Sequence, residues 1–287
     1  MADDTVSSQP ADSGASLKKK GGKRNMMIIA AVVVIVLALV AVVVLGGFLN
    51  PEEEYDNALD RIQSKGKIVV GTQVPYAPFE TINATTEKLE GIDIEIMEYV
   101  AAKLNVTIVW RTMDFDPLFV AVQTGQLDCA ISSVTITEER DVANDFSEPY
   151  FLANQAILVR ESSTITTIDD LNGTDIVTQT GTTGQMWVDD NVDFDTHTFL
   201  TDVPAAAAGV ENENYDVFVV DTPVAKQYAE DDAYHLKVAF IVETLESYGI
   251  LLPNDEPELK AAIDQAIIDM IEDGTLHEIL VKWDMAI

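Results

Sequence analysis

Residues 26–45 read MMIIAAVVVIVLALVAVVVL, twenty positions without a polar side chain. At 1.5 Å per residue a helix of that length reaches about 30 Å, the hydrocarbon thickness of a bilayer. A cleaved signal peptide has a shorter apolar stretch that ends in a small-x-small site. The exit here, Gly46-Gly47-Phe48-Leu49-Asn50-Pro51, is not such a site, and no cysteine follows it to carry a lipid. The pattern therefore predicts an uncleaved transmembrane anchor over 26–48. Lys18, Lys19, Lys20, Lys23 and Arg24 precede it, and Glu52, Glu53, Glu54 and Asp56 follow it. That asymmetry puts residues 1–25 in the cytoplasm as a basic tail. A linker at 49–63 then leads to an extracytoplasmic domain, giving a single-pass protein of the cell membrane.

Past the linker the pattern changes to short β-branched runs alternating with amphipathic stretches. Lys67–Thr72, 106–110, 127–132, 155–159, 175–179, 215–220 and 238–242 predict strands. Between them Met97, Val100, Ala101 and Leu104 recur at helical spacing after Gly91, and 119–126 predicts a second helix. A last helix begins near Pro257, with Leu259, Ile263, Ala266, Ile267 and Met270 on one face and Gly274 as its cap. The alternation of strand and helix predicts an α/β protein with largely parallel sheets covered by helices.

Charge changes the picture. Of the 287 residues, 17 are Lys or Arg and 49 are Asp or Glu. Residues 1–50 hold five basic and three acidic side chains, which leaves 12 and 46 for the rest, a net of −34. Such a surface excludes nucleic acid as a partner and opposes binding to an anionic leaflet. One cysteine, Cys129, excludes an internal disulfide, and three scattered histidines (His197, His235, His277) lack metal-ligand spacing. No metal and no cofactor is expected.

Several runs carry a resemblance. They are Gly71-Thr72-Gln73-Val74-Pro75-Tyr76-Ala77-Pro78-Phe79-Glu80, Gly91-Ile92-Asp93-Ile94, Phe115-Asp116-Pro117-Leu118 and the stretch GQLDCAISSVTITEER from Gly125 to Arg140. Asp145 to Tyr150, Asp170 to Gly173 and Gly181-Thr182-Thr183 continue it in the same order. Together they resemble the family-3 periplasmic solute-binding proteins, the extracellular receptors of polar amino-acid ABC transporters. The resemblance implies a two-lobed periplasmic-binding-protein-like fold (type II) with a two-segment hinge. Lobe 1 would take 64–153 and 246–287, and lobe 2 would take 154–245. It also implies a free amino acid as ligand, permease subunits as partners and a monomeric ectodomain.

The candidate site can be argued from chemistry as well. A free amino acid presents a carboxylate, an ammonium and a side chain, so its receptor needs a fixed cation, a fixed anion and apolar walls. Arg140 is one of four arginines after the anchor and lies at a strand-to-helix junction. There its planar fork suits a carboxylate; the alternative is a surface ion pair. Asp221 ends a strand-like run, where open α/β sheets bind ligands, and could equally cap the helix after it. By resemblance Asp221 receives the ammonium with Ser133 nearby, Thr135 and Thr183 hydrogen-bond the carboxylate, and Tyr76 and Phe115 sandwich the side chain. Gln73 departs from the family, where many members carry an acidic residue, and this argues against a cationic ligand unless Glu80 compensates. A dicarboxylate ligand is opposed by the field of the domain. The expected order is neutral polar, then cationic, then acidic.

Two rival functions remain open. The fold also hosts dehydratases, for which Glu80 would be the candidate general acid. A sensor would need a cytoplasmic output module, and 25 residues are too few to fold into one. The expected function is a membrane-anchored amino-acid receptor, not an enzyme.

Overall fold

A computed structural model describes residues 55–286 and, upstream, only Val32, Val33, Ile35 and Val36, which are helical and exposed. The rest of the predicted anchor, the tail and residues 49–54 of the linker lie outside the described residues. Among the described residues no helix is long and apolar enough to cross a membrane.

In chain order the strands are β1 (Lys67–Thr72), β2 (Thr81–Ile82), β3 (Leu89–Glu90), β4 (Thr107–Thr112), β5 (Cys129–Ala130), β6 (Asp145–Phe146), β7 (Phe151–Arg160), β8 (Asp175–Gln179), β9 (Thr196–Leu200), β10 (Val217–Asp221), β11 (Leu236–Tyr248) and β12 (Leu251–Leu252). The helices are α1 (Ala58–Lys65), α2 (Ile92–Leu104), α3 (Phe115–Gln123), α4 (Glu138–Ala143), α5 (Thr183–Asn191), α6 (Val203–Glu211), α7 (Thr222–Glu230), α8 (Pro257–Glu272) and α9 (Thr275–Lys282).

Two five-stranded sheets result, β4-β1-β5-β12-β6 and β11-β7-β10-β8-β9. In the first, β1 runs parallel to β4 and β5, while β12 is antiparallel to β5 and β6. In the second, β8 runs parallel to β10 and β9, and β7 is antiparallel to both β10 and β11. The expected parallel sheets are thus mixed, because the chain passes from one lobe to the other along β7 and returns along its antiparallel neighbour β11. Tyr248 of β11 stands opposite Phe151 at the start of β7, and Leu236 opposite Arg160 at its end.

The first lobe buries its sheet under α2 and α8. Ile68 and Val70 of β1, Ile96, Met97 and Val100 of α2, and Ile263, Ile267 and Met270 of α8 share one core cluster. Each such side chain contributes about 1.5–3 kcal/mol by leaving water. The five positions read as the apolar face of the last helix are the five that α8 buries. Gly274 follows its end at φ +83, and a further helix, α9, packs on it.

Several boundaries differ from the sequence pattern: β7 and β11 are ten and thirteen residues long where 155–159 and 238–242 were expected, and β4 and β10 are displaced by one or two residues. α3 starts at Phe115 rather than Phe119, since Pro117 falls in the first turn, where no backbone donor is needed. β5 keeps only two of the six expected residues, because Ser133 turns the chain at φ +50.

Candidate functional site

Gln73 follows β1, Ser132 and Ser133 follow β5, Thr182 and Thr183 follow β8, and Asp221 ends β10. These strand ends converge on one cleft. All eight residues picked from the sequence line it: Gln73, Tyr76, Phe115, Ser133, Thr135, Arg140, Thr183 and Asp221, joined by Glu80, Ser132, Gln179 and Thr182.

Arg140 sits in the first turn of α4, where the Thr137 side chain accepts its backbone N–H at 3.2 Å. The guanidinium is buried, donating from Nη1 to Thr135 O at 2.7 Å and from Nη2 to Gly181 O at 2.9 Å. It lies over the rings of Phe115 and Phe119, at 5.4 and 5.2 Å. None of the ion pairs among the described residues includes Arg140. Burial accordingly holds its pKa below the usual arginine value, against the pull of Glu246 and Asp221. A guanidinium carries five N–H donors, so three remain for a guest.

Asp221 stands at the cap position of α7, yet its side chain makes no cap bond. Its Oδ2 accepts from the hydroxyls of Tyr76, at 2.7 Å, and Tyr248, and its Oδ1 from Gln155 Nε2 at 2.5 Å. Burial and the nearby charge of Glu246 raise its pKa from 3.8 to about 6, although those three donors pull it down. Gln73 is held at both ends of its amide by the second lobe, donating to Thr201 O at 2.8 Å and accepting from Gln179 Nε2.

Thr135 and Thr183 are brought together as expected, but each hydroxyl donates to Glu246 Oε2, at 2.7 and 2.6 Å. Glu246 and Gln155 were not legible as site residues. Glu246 lies beyond a register shift in β11 between Val242 and Glu246, outside the strand expected at 238–242.

Behind Ser133 lies a pair of buried carboxyls. Asp93 Oδ2 accepts from Ser133 N at 2.7 Å and from the Tyr150 hydroxyl at 3.0 Å, and Glu80 Oε1 accepts from Ser132 Oγ at 2.7 Å. Glu80 Oε2 and Asp93 Oδ1 are buried without a hydrogen-bond partner, and a proton on either carboxyl would let the two bond to each other. Burial raises Asp93 from 3.8 to about 7, and burial with the neighbouring Asp93 charge raises Glu80 well above its usual value.

The sign of the pH effect follows. The folded protein retains protons that the unfolded chain releases, so this stability is complete below about pH 4 and is lost as pH rises through about 7. Melting temperature should therefore fall between pH 5 and pH 8, and Asp93→Asn should flatten that slope. Equal slopes for the two proteins would refute a proton held by this pair. The Ser133 hydroxyl, lining the cleft, is buried and unpartnered.

Cys129 is buried in β5, and burial pushes its thiol up, away from reactivity. Among the described residues no cluster of His, Cys, Asp or Glu could hold a metal.

Residues 68–286 match the family model for bacterial extracellular solute-binding proteins, family 3. The chain is 28% identical over 231 residues to the L-cystine-binding protein TcyJ of Escherichia coli (strain K12), covering 79% of this chain and 86% of that one. Among solved structures it resembles the arginine-, lysine-, histidine-binding protein ArtJ of Geobacillus stearothermophilus, with TM-score 0.71, 32% identity, and coverage of 76% and 94%. It also resembles an ancestral amino acid-binding protein described as a precursor of cyclohexadienyl dehydratase, with TM-score 0.72, 30% identity, and coverage of 79% and 99%.

Proposed function

This chain belongs to the bacterial extracellular solute-binding proteins of family 3, and from that premise we propose that its cleft binds a free polar amino acid and delivers it to an ABC transporter permease. One observation carries the reading. A buried guanidinium, oriented by two backbone carbonyls and free of any ion pair, lines the same cleft as a buried carboxylate. That is the charge pattern of a zwitterion.

In this reading Arg140 grips the ligand carboxylate, assisted by Thr135 and Thr183 once their hydroxyls turn. Asp221 and Ser133 receive the ammonium. Tyr76 and Phe115 flank the side chain, and Gln73 with Gln179 closes its far end. The relatives named for cystine, arginine, lysine and histidine support a polar ligand. The lobes divide at 64–153 with 246–287 against 154–245, and the apolar run at 26–48 anchors a monomeric, extracytoplasmic receptor behind its 1–25 tail.

The dehydratase alternative draws on the ancestral neighbour and on a Glu80 whose pKa burial raises. In this structure Glu80 turns one oxygen to Ser132, and its other oxygen is buried beside the Asp93 carboxyl. A proton held between these two carboxyls serves the wall of the cleft rather than a substrate.

A thermal-shift screen against the twenty amino acids tests the function. A ligand present at 100 times its dissociation constant stabilises by about 2.7 kcal/mol, a shift of several degrees. A screen in which no amino acid moves the melt, while a prephenate-like acid is turned over, would replace this reading with the enzyme.

A further inference from the structure

Glu246 is a buried carboxylate that nothing in the zwitterion site requires. Four donors surround it: Thr135 Oγ1 and Thr183 Oγ1 on Oε2, then Gln155 Nε2 at 2.8 Å and Thr244 Oγ1 at 2.9 Å on Oε1. The same Gln155 nitrogen gives its other hydrogen to Asp221 Oδ1. One amide thus ties together two carboxylates on separate strands, β10 and β11.

Two consequences follow for whatever enters the cleft. A hydroxyl has a single proton. The protons of Thr135 and Thr183 serve Glu246 until they turn to the ligand's α-carboxylate, so neither is left for a second carboxylate. The charge balance points the same way. Asp221 and Glu80 line the cleft with the single guanidinium of Arg140, and Glu246 and Asp93 lie directly behind its wall, bonded to Thr135, Thr183 and Ser133. Carboxyl groups outnumber cations around the cleft.

We propose that Glu246 is the residue that sets the charge selectivity of this cleft, excluding ligands with a second carboxylate and favouring those with an added positive charge. The inference rests on the reading of the cleft as an amino-acid site. Specificity here is a difference of affinities produced by a repulsive element.

The experiment is calorimetric titration with near-isosteric ligands differing by one charge, glutamine with glutamate and arginine with citrulline. The proteins are wild type, Glu246→Gln and Glu243→Gln. Glu243 lies on the same strand but is exposed, so its replacement changes the net charge equally without touching the cleft. Wild type should prefer glutamine to glutamate and arginine to citrulline. Glu246→Gln should narrow both preferences by about tenfold or more, the effect of one charge in a partly screened interior. Glu243→Gln should leave them within twofold. A purely structural role for Glu246 lowers all four affinities together and leaves the ratios unchanged, which would overturn the proposal. Wild type binding glutamate as tightly as glutamine would overturn it as well, even if Glu246→Gln does not fold. Wild type that binds no amino acid at all refutes the site reading instead.

Discussion

Replacing Arg140 by alanine should weaken amino-acid binding by about 30- to 5,000-fold, equivalent to the roughly 2–5 kcal/mol lost when one member of a desolvated ion pair is truncated. The size of the effect comes from what surrounds the guanidinium. Two backbone carbonyls, one from each lobe, fix its plane, and two aromatic rings cover it. Water has little access to compensate an unpaired ligand carboxylate there. Arg140→Lys keeps the charge but cannot hold Thr135 O and Gly181 O while also gripping a carboxylate two-pronged, so its affinity should lie between wild type and alanine. The ligand-free melting temperature should hardly change, since burial already disfavours the charged side chain and no ion pair is broken. Calorimetric titration of the three proteins checks this. An alanine variant binding within threefold of wild type would show that the arginine takes no part in recognition.

The contrast between Arg140 and Glu246 shows where sequence reading reaches and where it stops. Arg140 was legible because it is scarce, one of four arginines after the apolar run, and because it follows a strand-to-helix junction whose geometry is local. Asp221 was legible for a similar reason, since the run before it is a strand in any context. α8 was legible because its apolar spacing repeats over four turns and each position chosen is buried. Glu246 is one of 49 acidic residues, and nothing in its local sequence sets it apart from Glu243 on the same strand, which is exposed. The mixed sheets were hidden because β7 and β11 become antiparallel neighbours through pairing across 76 to 97 residues of chain. Gln73 was read as a departure in ligand contact. The structure adds that its amide is spent on Thr201 and Gln179, so it closes the cleft whatever it does to a ligand.

Gly91→Ala should produce the largest loss of stability of any single methyl added to this protein, and the cause lies in how α2 begins. The first backbone donors of that helix, from Ile92 and Asp93, are taken by Pro78 O and Phe79 O of the loop after β1, at 3.1 and 3.0 Å. The loop must therefore lie directly on the helix start. Gly91 occupies the gap with φ 138 and ψ 176, a region essentially closed to other residues. A Cβ there would come within 2.0 Å of Phe79 O and 2.9 Å of Glu80 N, backbone atoms that no rotamer can move aside. Strain of about 1–3 kcal/mol and overpacking of about 1–3 kcal/mol add to about 2–6 kcal/mol, set against total stabilities of about 5–15 kcal/mol. The displaced loop carries Glu80 and Tyr76, so the hydroxyl of Tyr76 would leave Asp221, and ligand affinity should fall with stability. Gly66→Ala is the comparison: that residue is also left-handed, at φ +63, but has no atom within 4 Å of the added methyl. Its cost should be only the backbone share, about 1–2 kcal/mol. Urea midpoints of the two variants separate crowding from backbone conformation. Equal losses in both would mean that the loop yields to the methyl and that the contact with the helix start does not hold Glu80 in place.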